Sequence, residues 1–91
     1  MNTNLIFGQL KEFWFNEKCE DQFQTILTDN GLNTEEREIK SLDYVRDVFK
    51  NFAEKHNYNT LDIHLIEVLL NWGILMYMQI QEKLHKNETN I

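Results

Sequence analysis

The apolar positions of this chain are densest between Thr60 and Leu84, in the stretch TLDIHLIEVLLNWGILMYMQIQEKL. Placed on a helix at 100° per residue, these apolar side chains cover roughly 260° of the circumference, whereas an ordinary surface helix carries an apolar stripe of about 100°. A helix with so wide an apolar arc must be covered on most of its sides. We therefore predict that the rest of the chain packs around this segment.

The apolar arc divides into two rows whose members recur every three or four residues, which is the spacing of a packed helix interface. The first row consists of Leu61, Leu65, Val68, Trp72 and Leu75. The second row consists of Ile63, Ile66, Leu70, Gly73, Tyr77, Ile80 and Leu84. Gly73 lowers helix propensity by about 1 kcal/mol relative to alanine, but its missing side chain lets another backbone approach closely. Two rows predict two sets of neighbours.

The N-terminal third of the chain presents its apolar groups in two directions. Ile6, Leu10, Phe13 and Trp14 share one side of a helix, whereas Phe15, Cys19, Phe23, Ile26 and Leu27 share another. One straight helix cannot bury both sets, so we predict a kink or break near Asn16, which is placed to cap the second segment. Because Phe13, Trp14 and Phe15 point about 100° apart, at least one of them should lie at a boundary or an interface.

Local signals predict where the other helices begin and end. Thr28 to Gly31 should end the second segment, with Asn30 or Gly31 in the left-handed conformation. The spacing of Asn33 and Glu36 predicts a capping box at the start of a helix that runs to about His56. Thr60 is predicted to cap the last helix.

These elements predict an all-α fold, a single domain over residues 1–91 built as a small bundle of three long helices. The first of the three is expected to be kinked or split near Asn16. The amphipathic faces of the other helices are too few to cover the apolar arc, so we predict that homodimerisation through the 61–84 helix completes the bundle. Leu, Ile, Val and Phe make up 28 of the 91 residues, above the level of roughly 20% below which disorder is expected.

The charge of the chain bears on the kind of partner that it can bind. The net charge is −6, which argues against direct nucleic-acid binding, since such binding depends on Lys and Arg contacts to phosphate. Between residues 17 and 38, seven acids stand against Lys18 and Arg37. The acidic positions of interest are Glu17, Glu20, Asp21, Glu35, Glu36 and Glu38. They are interpreted either as a solvated face with favourable helix starts or as a surface for a basic target protein.

Candidate chemistry is sparse in the sequence. No nucleotide-binding, hydrolase or paired-cysteine motif is present, and the single cysteine, Cys19, is interpreted as a small buried apolar residue. His64 and Glu67 share a helix face, but two ligands do not make a metal site. The sequence therefore predicts no enzyme activity, no metal and no cofactor.

A membrane-spanning interpretation of the apolar segment is disfavoured. Asp62, His64, Glu67 and Asn71 lie within its most apolar 20 residues, and an acidic group at the bilayer centre costs about 2.5–3.5 kcal/mol even on insertion scales. The N-terminus shows no secretory signal pattern. We therefore expect a cytoplasmic protein that is not inserted in a membrane.

The leading hypothesis is a non-enzymatic regulatory or inhibitory protein that binds a host or other target protein, of the sort that a phage or plasmid encodes. The alternatives are a structural or assembly protein that acts by self-association, and an immunity or antitoxin-type bundle that neutralises a toxin. Trp is enriched at binding hot spots. The residues predicted to form the partner or dimer interface are Trp14, Phe15, Leu65, Leu70, Trp72, Gly73 and Tyr77.

Overall fold

The computed structural model describes residues 2–85, and this part of the chain is all-α. The helices are α1 (Thr3–Asn16), α2 (Cys19–Leu27), α3 (Thr34–Lys55) and α4 (Ile63–His85). α4 packs against α1 and α3, and α2 packs mainly against α3. The predicted all-α class is confirmed.

The helix count differs from the predicted three because α1 and α2 are separate helices. Asn16 is the last residue of α1. It does not cap α2, so that prediction is wrong. The break is made by Lys18, which has φ 55° and ψ 35° in the left-handed region. Such a conformation costs a non-glycine residue on the order of 1–3 kcal/mol. The change of direction at Lys18 lets the apolar face of α2 reach the same core as that of α1.

The turn between α2 and α3 is built by side chains. Neither Asn30 nor Gly31 has a positive φ, so the predicted left-handed ending is wrong. Instead, the Asp29 carboxylate accepts a hydrogen bond from the Gly31 N–H at 2.9 Å, a local turn that provides a partner for a backbone donor. The predicted capping box is confirmed, with Glu36 N–H donating to Asn33 Oδ1 at 2.8 Å and Asn33 N–H donating to Glu36 Oε1 at 3.0 Å.

α3 ends in a Schellman motif. Asn57 takes the left-handed conformation with φ 54°. The Tyr58 N–H then donates to the Ala53 carbonyl at 2.9 Å, and the Asn57 N–H donates to the Glu54 carbonyl at 3.2 Å. These bonds give partners to carbonyl groups that a helix end would otherwise leave open.

The start of α4 also differs from the prediction. Thr60 lies in the preceding turn, where the Asn59 carboxamide oxygen accepts from the Leu61 N–H at 2.9 Å. Asp62 precedes the first helical residue, and its carboxylate accepts from the His64 N–H at 2.8 Å. Asp62 therefore has the capping role that was predicted for Thr60.

The core is a single cluster that draws on all four helices. Its aromatic centre is Trp14, whose ring meets Phe23, Tyr44 and Trp72 edge to face at 5.6, 6.2 and 5.7 Å between centroids. Edge-to-face pairs of this kind contribute about 0.5–1.5 kcal/mol each beyond the apolar area they bury. Trp14 thereby links α1, α2, α3 and α4.

Candidate functional site

α4 has an inner face, which is buried, and an outer face, which is exposed. The inner face consists of Leu65, Val68, Trp72, Met76 and Ile80, all of them buried. The outer face consists of six exposed apolar residues, Ile63, Ile66, Leu70, Ile74, Tyr77 and Met78. Since both faces belong to one helix, α4 is held firmly by its inner face while it presents the outer face to solvent.

The outer face carries six of the eleven exposed large apolar side chains of residues 2–85. Ile63 is 73% exposed, Leu70 64% and Met78 61%. Taking about 200 Å² for a fully exposed large side chain, the six residues present roughly 700 Å². The largest apolar patch of a typical monomer is about 300–600 Å², and patches at or above that size often mark interaction sites.

The outer face follows a seven-residue repeat. Residues 63, 66, 70, 73 and 77 are separated alternately by three and four positions, which is the a and d spacing of a coiled coil. The same spacing continues to Ile80, which is buried, and Leu84, which is half-buried. The C-terminal end of the repeat is therefore covered by the chain's own core, and the N-terminal part is open.

Gly73 lies in this open part. A Cβ atom built at Gly73 would meet nothing within 4 Å, and its backbone does not have a positive φ. Neither the packing of the chain nor the backbone conformation requires glycine at this position. Because glycine costs about 1 kcal/mol relative to alanine inside a helix, the notch at Gly73 has no explanation within the monomer.

The structure separates the residues predicted to form an interface. Leu65, Trp72 and Trp14 are buried in the core, so they do not lie on an accessible surface. Leu70 and Tyr77 are exposed on the outer face, and Gly73 is half-buried at its edge. The second row thus supplies an accessible surface from Ile63 to Tyr77, while its end at Ile80 and the middle of the first row belong to the core.

Four outer-face residues were absent from the predicted interface. Ile63 and Ile66 belong to the second row, and Ile74 and Met78 belong to neither row. At 100° per residue, Ile74 lies only about 40° from Leu70 around the helix, so a helical projection alone places it beside that row. The first row is exposed at both of its ends, at Leu61 and at Leu75.

The aromatic run of α1 points three ways. Trp14 is in the core, Phe13 is half-buried with its ring 5.7 Å from that of Phe52, and Phe15 is 81% exposed. Phe15 borders an open depression of about 380 Å³ whose other lining residues are Asn16, Lys18, Glu20 and Asp21. This depression lies at the α1–α2 break, so Phe15 is not grouped with the outer face of α4.

Half of the predicted acidic positions have structural roles. Glu17 pairs with Lys55 at 3.5 Å, and Glu20 accepts a hydrogen bond from the Trp14 indole N–H at 2.9 Å. Glu36 forms the capping box. The three that remain are Asp21, Glu35 and Glu38, for which no ion pair is found within residues 2–85.

No cluster of three or more potential metal ligands occurs within residues 2–85. Burial raises the pKa of the Cys19 thiol, and burial beside Cys19 also raises the pKa of Tyr44. Both groups therefore stay neutral at physiological pH. A neutral buried thiol is a poor nucleophile.

α4 is the helix within residues 2–85 whose length and composition would allow it to cross a membrane. The central helix of a globular protein passes the same test, and the inner face of α4 is occupied by protein. No protein-family model, curated protein or solved structure matches the chain. Function must therefore be argued from the residues of the chain itself.

Proposed function

We propose that this protein is a non-enzymatic regulatory or inhibitory protein that acts by binding other proteins, and that the outer face of α4 is its principal contact surface. The observation that carries this proposal is the contrast within one helix. The inner face is buried, while roughly 700 Å² of apolar side chain on the outer face meets solvent. Apolar area of this size is stabilised when another surface covers it.

A surface of this size suits protein association. Standard protein interfaces bury about 800 Å² on each partner, and the outer face supplies most of that area before any rim is added. Burial at about 25 cal/mol per Å² amounts to well over 10 kcal/mol of gross hydrophobic stabilisation. Only part of it remains as binding free energy, because association also costs translational, rotational and side-chain freedom.

The acidic positions give a second surface for a basic target. Glu35 and Asp21 are exposed and Glu38 is half-buried, and carboxylates that form no ion pair attract Lys and Arg at a distance. In this version of the proposal, the apolar face supplies association and the acidic surface selects a basic partner, such as a nucleic-acid-binding protein. A partner held in this way should dissociate more readily at high salt.

Affinity capture from a lysate of the cells that produce the protein tests the proposal. Four baits are compared, namely the wild type, Leu70→Asp, Ile39→Asp, and a double variant with Glu35→Lys and Glu38→Lys. Ile39→Asp is the matched control, because Ile39 is an apolar residue that is 53% exposed on α3, outside the outer face. We expect Leu70→Asp to lose captured protein and Ile39→Asp to retain it.

The double variant separates the two surfaces. Loss of a salt-sensitive partner from that bait alone would assign selection of the target to the acidic surface. Equal capture by the wild type and Leu70→Asp, with both proteins fully folded by circular dichroism, would contradict the proposed role of the outer face.

A further inference from the structure

The occupant of the outer face can be named from the pattern of its residues, if that face is the contact surface proposed above. We infer that the occupant is a second copy of this chain, whose α4 runs antiparallel to the first about a two-fold axis between Leu70 and Gly73. In this arrangement, the Leu70 side chain of each copy fills the notch over Gly73 of the other.

The composition of the apolar row favours a second copy of the chain. The a and d positions from 63 to 77 carry Ile, Ile, Leu, Gly and Tyr, without a charged residue. A partner that placed charged side chains against this apolar row would leave them without counterions, which is unfavourable. The row is instead complementary to a surface of its own kind, and a two-fold pair places the same patch on both sides of the interface.

The exposed apolar area of the outer face also fits a second copy of the chain. A two-fold pair in this register would cover Ile63, Ile66, Leu70, Tyr77 and the neighbouring Ile74. They present roughly 560 Å² of apolar side chain on each copy, most of the roughly 800 Å² per partner of a stable interface. The total surface of the chain is 6440 Å², so the outer face is about a tenth of it, the fraction typical of interfaces of small proteins. No rearrangement of the bundle is needed to expose this face.

The pairing of a and d positions between two α4 helices favours the antiparallel direction. In antiparallel coiled-coil packing, a residues of one helix face d residues of the other. When Leu70 faces Gly73 of the second copy, a large side chain opposes the smallest residue at the centre of the interface. The same register places Ile66 opposite Tyr77. A parallel pair would instead align Gly73 with Gly73 and leave a void there, which is unfavourable in a packed interface.

The Glu67 carboxylates and the helix dipoles also favour the antiparallel direction. At 1.5 Å rise per residue, the antiparallel register separates the two copies of Glu67 by about 14 Å along the axis. A parallel pair would hold both carboxylates at the same level. Antiparallel helices also place opposite ends of their dipoles side by side.

Sedimentation equilibrium of the full chain tests whether a second copy binds. At tens of micromolar we expect a dimer for the wild type and for Ile39→Asp, and a monomer for Leu70→Asp. Gly73→Leu fills the notch in a place where the chain's own atoms leave space, so it should keep the monomer fold and weaken the dimer at least tenfold. A monomeric wild type, or an undiminished dimer for Gly73→Leu, would overturn the inference.

Disulfide trapping tests the direction. Ile66→Cys protein mixed with Tyr77→Cys protein should give a cross-linked heterodimer under mild oxidation. Ile66→Cys alone should not cross-link, because the two positions lie about 16 Å apart along the axis in the antiparallel register. Cys19 is buried, and wild-type protein reports any background from it. Cross-linking of Ile66→Cys with itself would indicate a parallel pair and overturn the proposed register.

The two proposals fail in different ways. A monomeric wild type whose captured partner is lost in Leu70→Asp would leave the outer face as a binding surface and reject only the second copy. A monomer that binds phosphatidylcholine vesicles through the same face would reject the second copy and name a lipid surface instead. If Leu70→Asp changes neither mass nor capture, the proposed function fails as well.

Discussion

The two faces of α4 are similar in composition and opposite in environment. Leu65 on the inner face is fully buried, while Leu70, five residues along the same helix, is exposed. Trp72 lies within edge-to-face distance of Phe7 and Trp14, each at 5.7 Å between centroids. No residue of α1, α2 or α3 covers Leu70 in the same way.

The difference between Leu65 and Leu70 shows that, in a small bundle, an apolar side chain is buried only where another helix is available to pack against it. α1 and α3 pack on the inner face and occupy the sides of α4 that they can reach. A domain of about 90 residues buries only some 60–65% of the surface of its unfolded chain. Its longest apolar helix is therefore left with a face that α1, α2 and α3 do not cover.

The largest expected effect contrasts the two leucines. Leu65→Ala removes a fully buried side chain and should lower the free energy of unfolding by about 2–5 kcal/mol. Leu70→Ala should change it by no more than about 0.5 kcal/mol in the monomer, because it removes an exposed side chain. Urea unfolding at sub-micromolar concentration, followed by circular dichroism, measures both.

Repeating the urea unfolding at high concentration sharpens the contrast. If a second copy covers the outer face, the stability of the wild type should rise with protein concentration, and that rise should be smaller for Leu70→Ala. Losses of equal size for the two variants at the lowest concentration would show that the faces do not differ as described.

A smaller effect separates the two tryptophans of the core. The Trp14 indole N–H donates to the Glu20 carboxylate at 2.9 Å, whereas the Trp72 indole N–H is buried without a hydrogen-bond partner within residues 2–85. Trp14→Phe loses a charge-assisted bond and should destabilise by about 2 kcal/mol. Trp72→Phe removes an unsatisfied donor, which offsets part of the lost packing, so its cost should be about 1 kcal/mol lower.

Thermal unfolding of both variants measures this difference. Glu20→Gln is the control, since it keeps an acceptor near Trp14 while removing the charge, and it should lie between the wild type and Trp14→Phe. An equal or larger loss for Trp72→Phe would mean that the Trp72 ring matters to the inner face through its volume alone.

Much of the fold could be predicted because its signals are local. The capping box joins Asn33 and Glu36 within one turn, and the apolar rows of α4 repeat every three or four residues. The sequence could not tell which row would be inside, because both rows are equally apolar. That choice depends on Trp14 and its partners, which belong to other helices and meet only in the folded chain.

The errors have physical reasons as well. Asn16 and Thr60 have side chains suited to capping, but Lys18 and Asp62 occupy the positions where the backbone turns. Several cap-forming residues stand close together before α4, and sequence alone does not rank Asn59, Thr60 and Asp62. The acidic positions were interpreted either as a solvated face or as a surface for a basic partner, whereas Glu20 accepts a hydrogen bond from the Trp14 indole N–H, which only the tertiary structure brings near.

The smallest expected effect concerns Asp62, at the point where both faces of α4 begin. The pKa of Asp62 is lowered mainly because its carboxylate accepts the backbone N–H of His64, with smaller help from the His64 ring. A lowered pKa in the folded state means that the stabilisation is fully present above the ordinary carboxyl pKa, near 4, and is lost as the pH falls through the lowered value. Asp62→Asn keeps the capping ability without the charge.

Thermal unfolding midpoints between pH 7 and pH 2.5 therefore give a direct comparison. The wild type should exceed Asp62→Asn at pH 7, and the gap should close as the carboxylate is protonated. Asp62→Ala should lie below both at neutral pH, because it leaves the His64 N–H without its partner. The cap belongs to the backbone that the inner and outer faces share, so Asp62→Ala should loosen the first turn of α4 and expose the buried Leu65. A gap between the wild type and Asp62→Asn that does not change with pH would show that the carboxylate charge does not stabilise this turn.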